Sequence, residues 1–396
     1  MSLNDIRKAR EKIKNVVIKT PLLYSNVFSN MYNNKVYMKC ENLQLTGAYK
    51  IRGALNKISS LSENDKSKGV VCSSAGNHAQ GVAYASSLMG VDSTIVMPKT
   101  TPYLKVESTK NYGGDVVLYG NCYDDAFSEA KRIEEDLKKV FIHPFDDIDI
   151  INGQGTIALE IFEEIDNFDY IICPIGGGGL ISGISLAAKE LNPSIKIIGV
   201  QAQGAPSMFN SIKNNKILTL DAVNTIADGI AVKTPGKKTF EFIQQYVDEI
   251  ITVSENDIVE TFLLLTEKHK LLAEASGVVS LAALRKLKCN NKNICCIISG
   301  GNIDMLTISS LINNGLVSKG RLFCFSVELR NVPGELLKIS ELLARENANI
   351  IKLEHNQFKA INRIRNVLLE VTVETNGHEH IEQIINAFEE YSYSIK

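Results

Sequence analysis

Short β-branched runs recur along the first three-quarters of the chain, and the segments between them are mostly long enough for helices. The runs read "GVVCSS", "STIVMP", "DVVLYG", "KVFIHPF", "YIICPI", "KIIGVQA" and "NICCIIS". Strands of this kind are buried on both faces, so the alternation predicts α/β layers with largely parallel sheets. Two groups of runs, roughly Leu43 to Phe145 and Asn152 to Asn314, predict two lobes with a cleft between them. The boundaries drawn from them are 1–42 plus 146–315 for a large lobe and 43–145 for a small one.

The pattern changes at "NNGLVSKG" (Asn313 to Gly320), a polar stretch that reads as a hinge, placed at 316–321. Residues 322–396 then read as strand "RLFCFSVEL", turn "RNVPG", helix "ELLKISELLARENA", strands "NIIKLEHN" and "RNVLLEVTVET", helix "HEHIEQIINAFEE" and strand "YSYSI". The order βαββαβ is ferredoxin-like.

Composition excludes several classes. The 396 residues carry a formal charge of −2, which gives no reason to expect nucleic acid as a partner. Eight cysteines stand without a C-x-x-C pair or metal-ligand spacing, several inside apolar runs, which fits a reducing cytoplasm. The start, "MSLNDIRKAREKI", reads as a charged amphipathic helix, not a signal peptide. The uncharged stretches Gly69 to Val91 and Tyr170 to Ala188 are too polar or too broken by Pro174 and glycine to span a membrane. A soluble cytoplasmic protein is expected.

In "LQLTGAYKIRGAL", Ile51, Leu55 and Ile58 fall at helical spacing, so a helix is expected to start near Thr46 to Ala48. Lys50 then lies in its first turn, where the helix dipole disfavours an ammonium. Such a lysine is either a surface group reaching clear of the helix or an amine kept partly neutral, able to form a Schiff base with a carbonyl.

"DYIICPIGGGGLISGISLAAKE" reads as a buried strand, four glycines (Gly176, Gly177, Gly178 and Gly179) and a helix beginning near Leu180. Backbone N–H groups of such a loop at a helix N-terminus make an anion cradle, most often for phosphate. The dinucleotide spacing G-x-G-x-x-G fails here, the next strand ends on Gln201, and the Gly-Lys-Ser/Thr of a P-loop is absent. A phosphate cradle and a candidate Schiff-base lysine together point to pyridoxal 5′-phosphate.

"ENLQLTGAYKIRGA", "SSAGNHAQGVA", "GQGTIALEI", "GGGGL" and "ISGGN" stand in the order found in threonine dehydratases, which the chain resembles over roughly Asp5 to Asn314. These are pyridoxal-phosphate enzymes of fold type II. The turn and helix "RNVPGELLKISELLARENANI" resemble an ACT regulatory domain.

The resemblance implies roles for particular residues. Lys50 matches the Schiff-base lysine, which then acts as general base at Cα. Ser299 matches the hydroxyl facing the pyridine nitrogen, and Asn77 the residue bonding the ring oxygen. The loop of Ser74, Ala75, Gly76, Asn77 and His78 matches the grip on the substrate carboxylate, and the glycine loop with Leu180 matches the phosphate site. Tyr49, Thr156, Asp228 and Gly229 lie in matching segments without an assigned role.

Serine racemases resemble this loop but carry a serine at the place of Ala75, so the resemblance favours elimination over racemisation. They also hold a divalent cation on carboxylates where this chain has Gln201 and Ser207, so no metal is expected. The activity implied is L-threonine deamination to 2-oxobutanoate and ammonia, with L-serine to pyruvate as a side activity. An effector site is implied at Asn331 and Gly334, usually across a paired interface, so a homo-oligomer (dimer or tetramer) is expected. Other fold type II activities, and a non-catalytic amino-acid sensor, remain the alternatives.

Overall fold

The computed structural model describes residues 1–356 and 366–396. They form two compact units, Met1–Asp304 and Met305–Lys396.

The first unit holds two sheets. The larger runs in spatial order Leu22–Tyr24, Lys35–Cys40, Asn293–Ile298, Tyr170–Pro174, Lys196–Ala202, Glu249–Val253, and every pairing but the first is parallel. The smaller is wholly parallel, in the order Asp115–Leu118, Ser93–Met97, Val70–Ser73, Val140–Phe141. The alternating runs therefore do what their burial requires, although "KVFIHPF" contributes only two strand residues. Three strands did not stand out in the sequence: Leu22–Tyr24, Lys35–Cys40 and Glu249–Val253. They lie at or next to the sheet edges and are partly exposed.

Each sheet has its own core. Around the larger, Ile157, Ile161, Ile171, Leu180, Ile184 and Ile197 are buried; around the smaller, Ile51, Leu55, Val70, Val82 and Ile95. The N-terminal helix Leu3–Ile13 begins on a capping box between Ser2 and Asp5 and buries Ile6, Ala9 and Ile13. The segment "GQGT" lies in mid-helix, within Ile148–Glu164. The Thr156 hydroxyl donates to the carbonyl of Gly153.

The second unit opens with the helix Met305–Ser318, so most of the stretch read as a hinge is helical. Its polar residues Asn313 and Asn314 are exposed on that helix, and the chain turns only at Gly320 (φ +62°). The antiparallel sheet follows in the order Leu322–Arg330, Asn366–Glu374, Asn349–Asn356, with helices Glu335–Arg345 and His378–Glu390. The expected last strand "YSYSI" is reduced to a bridge between Ile395 and Val327. This bridge still lies beside the first strand, the place of the fourth ferredoxin-like strand. Phe325, Val327, Ile339, Leu343, Leu369, Val371, Ile384 and Phe388 form the core of this unit.

Among the described residues no helix is long and apolar enough to cross a membrane.

Candidate active site

Lys50 is the first residue of the helix Lys50–Ser59. The turn before it is fixed against the end of strand Asn293–Ile298: Tyr49 N donates to Ser299 O at 3.2 Å, and Gly301 N donates to Gly47 O at 2.8 Å. Behind it, Arg52 is fully buried and forks onto Glu41 through Nε and Nη2, both at 2.8 Å. Its Nη1 bonds Glu160 at 2.6 Å, and Glu160 also takes Lys39 Nζ at 2.7 Å. Two buried carboxylates thus face two buried cations, which tolerates charge in a dry interior and pins the helix that carries Lys50.

The Lys50 amine donates to Pro144 O at 2.7 Å. Burial pushes its pKa down to about 8, against the opposing pull of Glu274. Burial, not the helix dipole invoked from sequence, is the first cause.

Pro144 leads directly to the glycine loop, because the next residue, Phe145, packs against it. A Cβ on Gly177 would stand 2.3 Å from the Phe145 ring, and one on Gly179 would stand 2.9 Å from its backbone. Gly178 has φ +100° and caps the helix Gly179–Leu191, in which Leu180 is buried. Thr239 Oγ1 and Ser182 Oγ donate to the Gly177 and Gly178 carbonyls at 2.6 and 2.8 Å. With its carbonyls tied back, the loop has its N–H groups and the helix N-terminus for an anion.

The loop Ser74–His78 joins strand Val70–Ser73 to helix Asn77–Leu88. A Cβ on Gly76 would meet nothing within 4 Å, so the turn borders open space. Ser74 Oγ accepts from Gly76 N at 3.3 Å. Ala75 is half-buried and packs against the core of the smaller sheet. His78 stands apart from this group: its Nε2 meets the Ile142 carbonyl at 2.9 Å, Nδ1 has no hydrogen-bond partner among the described residues, and burial pushes its pKa down to about 3.

Ser299 is buried, and its hydroxyl reaches the Ser276 carbonyl at 3.4 Å. Asp228 pairs with Lys105 at 2.9 Å, and a Cβ on the adjoining Gly229 would lie 2.5 Å from Ser276 Oγ. Gln201 is buried, accepting from Phe209 N at 2.8 Å and donating to Ile175 O at 3.3 Å; Ser207 is also buried.

Three residues missed in the sequence join the site. Phe145 supports the glycine loop. Glu274 accepts from Asn77 Nδ2 at 2.8 Å, and Asn302 Nδ2 donates to Asn77 Oδ1 at 2.8 Å. Burial raises the Glu274 pKa to about 7. The available signal was a lone acid in the apolar run "LLAEASGVVSLAAL".

An amine whose pKa burial lowers to about 8 and a glycine cradle with no room for side chains fit pyridoxal phosphate. Residues 13–300 match the family described as pyridoxal-phosphate dependent enzyme, and the chain belongs to it. Over 397 residues it is 43% identical to the L-threonine ammonia-lyase of Thermotoga maritima, covering 100% of this chain and 99% of that one. The L-threonine ammonia-lyase of Geobacter sulfurreducens is 42% identical, with 98% of each chain covered. The structure of the processed form of threonine deaminase isoform 2 from Solanum lycopersicum superposes with a TM-score of 0.77. It is 36% identical, covering 80% of this chain and 87% of that one.

Proposed function

We propose that the chain deaminates L-threonine to 2-oxobutanoate and ammonia, with L-serine to pyruvate as a slower side reaction. The observation that carries the reading is the buried Lys50 amine, its pKa lowered to about 8 by burial, bonded to the segment that packs under the glycine loop. Full-length relatives named L-threonine ammonia-lyase support the choice of substrate.

Bound here, pyridoxal phosphate supplies an aldehyde that condenses with amines and a ring that draws electrons from Cα. Lys50 would hold it, Gly176 to Gly179 with Leu180 would receive its phosphate, and Asn77 and Ser299 would bond its ring. The turn Ser74–Asn77 grips the substrate carboxylate, fixing the orientation of the Cα–H bond. Lys50 Nζ would take the Cα proton. The β-hydroxyl leaves as water with a proton equivalent to the one taken from Cα, and a second water later enters to release ammonia, so the reaction consumes no net water. Ala75 offers no group to move a proton from its side of the substrate, which favours elimination over racemisation. His78, tied to Ile142, supports the turn from behind.

The second unit acts as a regulatory module of ACT type. Its effector turn is Asn331 to Gly334, which is exposed, with Gly334 at φ +96°. A small amino acid is the effector, bound in a homo-oligomer.

A keto-acid assay with L-threonine and L-serine given separately tests the activity. Faster 2-oxobutanoate than pyruvate supports the reading; pyruvate alone would reassign the enzyme to serine.

A further inference from the structure

The hydrogen-bond directions around Asn77 are set at one end by a backbone carbonyl and at the other by the Glu274 carboxylate. At one end is the carbonyl oxygen of Thr46, which accepts a hydrogen bond from Asn302 Nδ2 at 2.7 Å. The same Nδ2 lies 2.8 Å from Asn77, so the atom that meets it is Oδ1. Asn77 Nδ2 then faces Glu274 Oε1 at 2.8 Å, and Ser276 Oγ donates to that oxygen at 2.7 Å. Glu274 itself is anchored through its backbone N–H on Gly300 O at 3.0 Å. A flipped Asn77 amide would set oxygen against a carboxylate and NH2 against NH2.

Glycines make room for this chain of bonds. A Cβ on Gly47, at φ +69°, would fall 2.2 Å from Asn302 Oδ1. One on Gly300 would fall 2.8 Å from Glu274 Oε1 and 3.2 Å from Asn77 Nδ2.

We propose that Glu274 is a positioning residue: through Asn77 it presents a single amide N–H, in one fixed direction, to the ring oxygen of the cofactor. This rests on the reading that Asn77 contacts the cofactor. Asn77 Oδ1 is taken by Asn302 and one Nδ2 hydrogen by Glu274, so the second Nδ2 hydrogen is the group left to donate. Bonds to an ionised acceptor are about twice as strong as neutral ones, so the hold depends on the charge of Glu274. The ionisable groups facing it are Lys50 and Tyr49 from the start of the Lys50 helix, Lys105 from helix Tyr103–Asn111, and Asp228. Burial places its titration at about 7, so the hold weakens below that pH.

The test is cofactor affinity by equilibrium dialysis for the full chain and for Asn77→Ala, Glu274→Ala, Glu274→Gln and the double alanine variant. Thermal melting of each cofactor-free form serves as the control for folding. Loss of a bond to a charged group corresponds to roughly a tenfold or larger rise in Kd for each single alanine variant. The double variant should bind no worse than Asn77→Ala alone. Glu274→Gln keeps an accepting oxygen but is neutral at every pH, so it should bind throughout as the full chain does well below pH 7, better than Glu274→Ala and without the fall in affinity below about pH 7. Additive losses in the double variant, or an unchanged Kd for Glu274→Ala beside a weakened Asn77→Ala, would overturn the proposal. An unchanged Asn77→Ala would overturn both it and the site reading. If Glu274→Ala does not fold, Ser276→Ala replaces it: a loss of affinity that vanishes on the Asn77→Ala background supports the proposal, and one that persists there refutes it.

Discussion

Lys50 Nζ and the carbonyl oxygen of Pro144 stand 2.7 Å apart, which aims the amine at the segment whose next residue, Phe145, lies under Gly177. In the cofactor-free protein this amine should be unusually reactive. Burial lowers its pKa to about 8, so its labelling by an acylating reagent should rise steeply between pH 7 and 9, well below the range of an ordinary lysine. Because Glu274 pulls the value upward, Glu274→Gln should shift the midpoint down. Labelling followed by peptide mass spectrometry reads both effects, and a midpoint near 10 would contradict them.

The glycine loop offers a steric prediction. Alanine at Gly177 would collide with the Phe145 ring at 2.3 Å, so the ring or the loop must move. Overpacking of this kind costs about 1–3 kcal/mol, visible in urea unfolding of the cofactor-free protein. The displaced N–H groups should also weaken pyridoxal phosphate binding. Alanine at Gly178, at φ +100°, carries a backbone cost of about 1–2 kcal/mol in addition to contact with Thr239.

Arg52 gives a prediction about support. Substituting Arg52 by Met removes a buried cation from between Glu41 and Glu160, so two buried carboxylates are left with Lys39 as the one cation of the cluster. A loss of about 3–5 kcal/mol is expected in urea unfolding. Replacing the whole cluster by apolar residues of similar volume should be far milder, and the comparison separates charge imbalance from lost packing.

Acid should weaken the cofactor-free protein through two histidines. Burial lowers His78 to about 3 and His143 to about 4, so between these values and 6.5 the unfolded chain binds more protons. Stability from both is therefore present above pH 6.5 and lost as pH falls toward 4. Glu274 has the opposite sign: raised to about 7, it favours the folded state below its unfolded value of 4.5 and loses that contribution as pH rises to 7. Two groups outweigh one, so unfolding free energy should fall from pH 6.5 to 5, and Glu274→Gln should steepen the fall. A shallower slope in that variant would contradict the assignment.

Much of this architecture was legible because buried parallel strands leave apolar runs that stand out against helices. Leu22–Tyr24 and Lys35–Cys40 were not, since a three-residue edge strand and a strand with charged Lys35 and Lys39 break the apolar pattern. The hinge reading failed at Asn313–Ser318 because exposed asparagines on a helix look like loop composition. Within the site, Lys50 and the four glycines carry local signatures. Glu274 and Asn302 do not: they come to Asn77 across sequence separations of 197 and 225 residues, and only the folded chain brings them together.

The effector turn yields a further expectation. Isoleucine or valine, added at increasing concentration, should raise the melting temperature of the full chain. A bulky substitution at Gly334, where φ is +96°, should abolish the rise while leaving the unregulated reaction in place. An unchanged response in that variant would move the effector elsewhere.

The most direct measurement traps the cofactor where it is held. The protein is loaded with pyridoxal phosphate, reduced with borohydride and digested, and the peptides are read by mass spectrometry. The reduced cofactor should appear on the peptide carrying Lys50, with no label there in Lys50→Ala, which should also lose more than the ~10²–10⁴ of a general base alone. Label on another lysine, or full threonine turnover in Lys50→Ala, would contradict it.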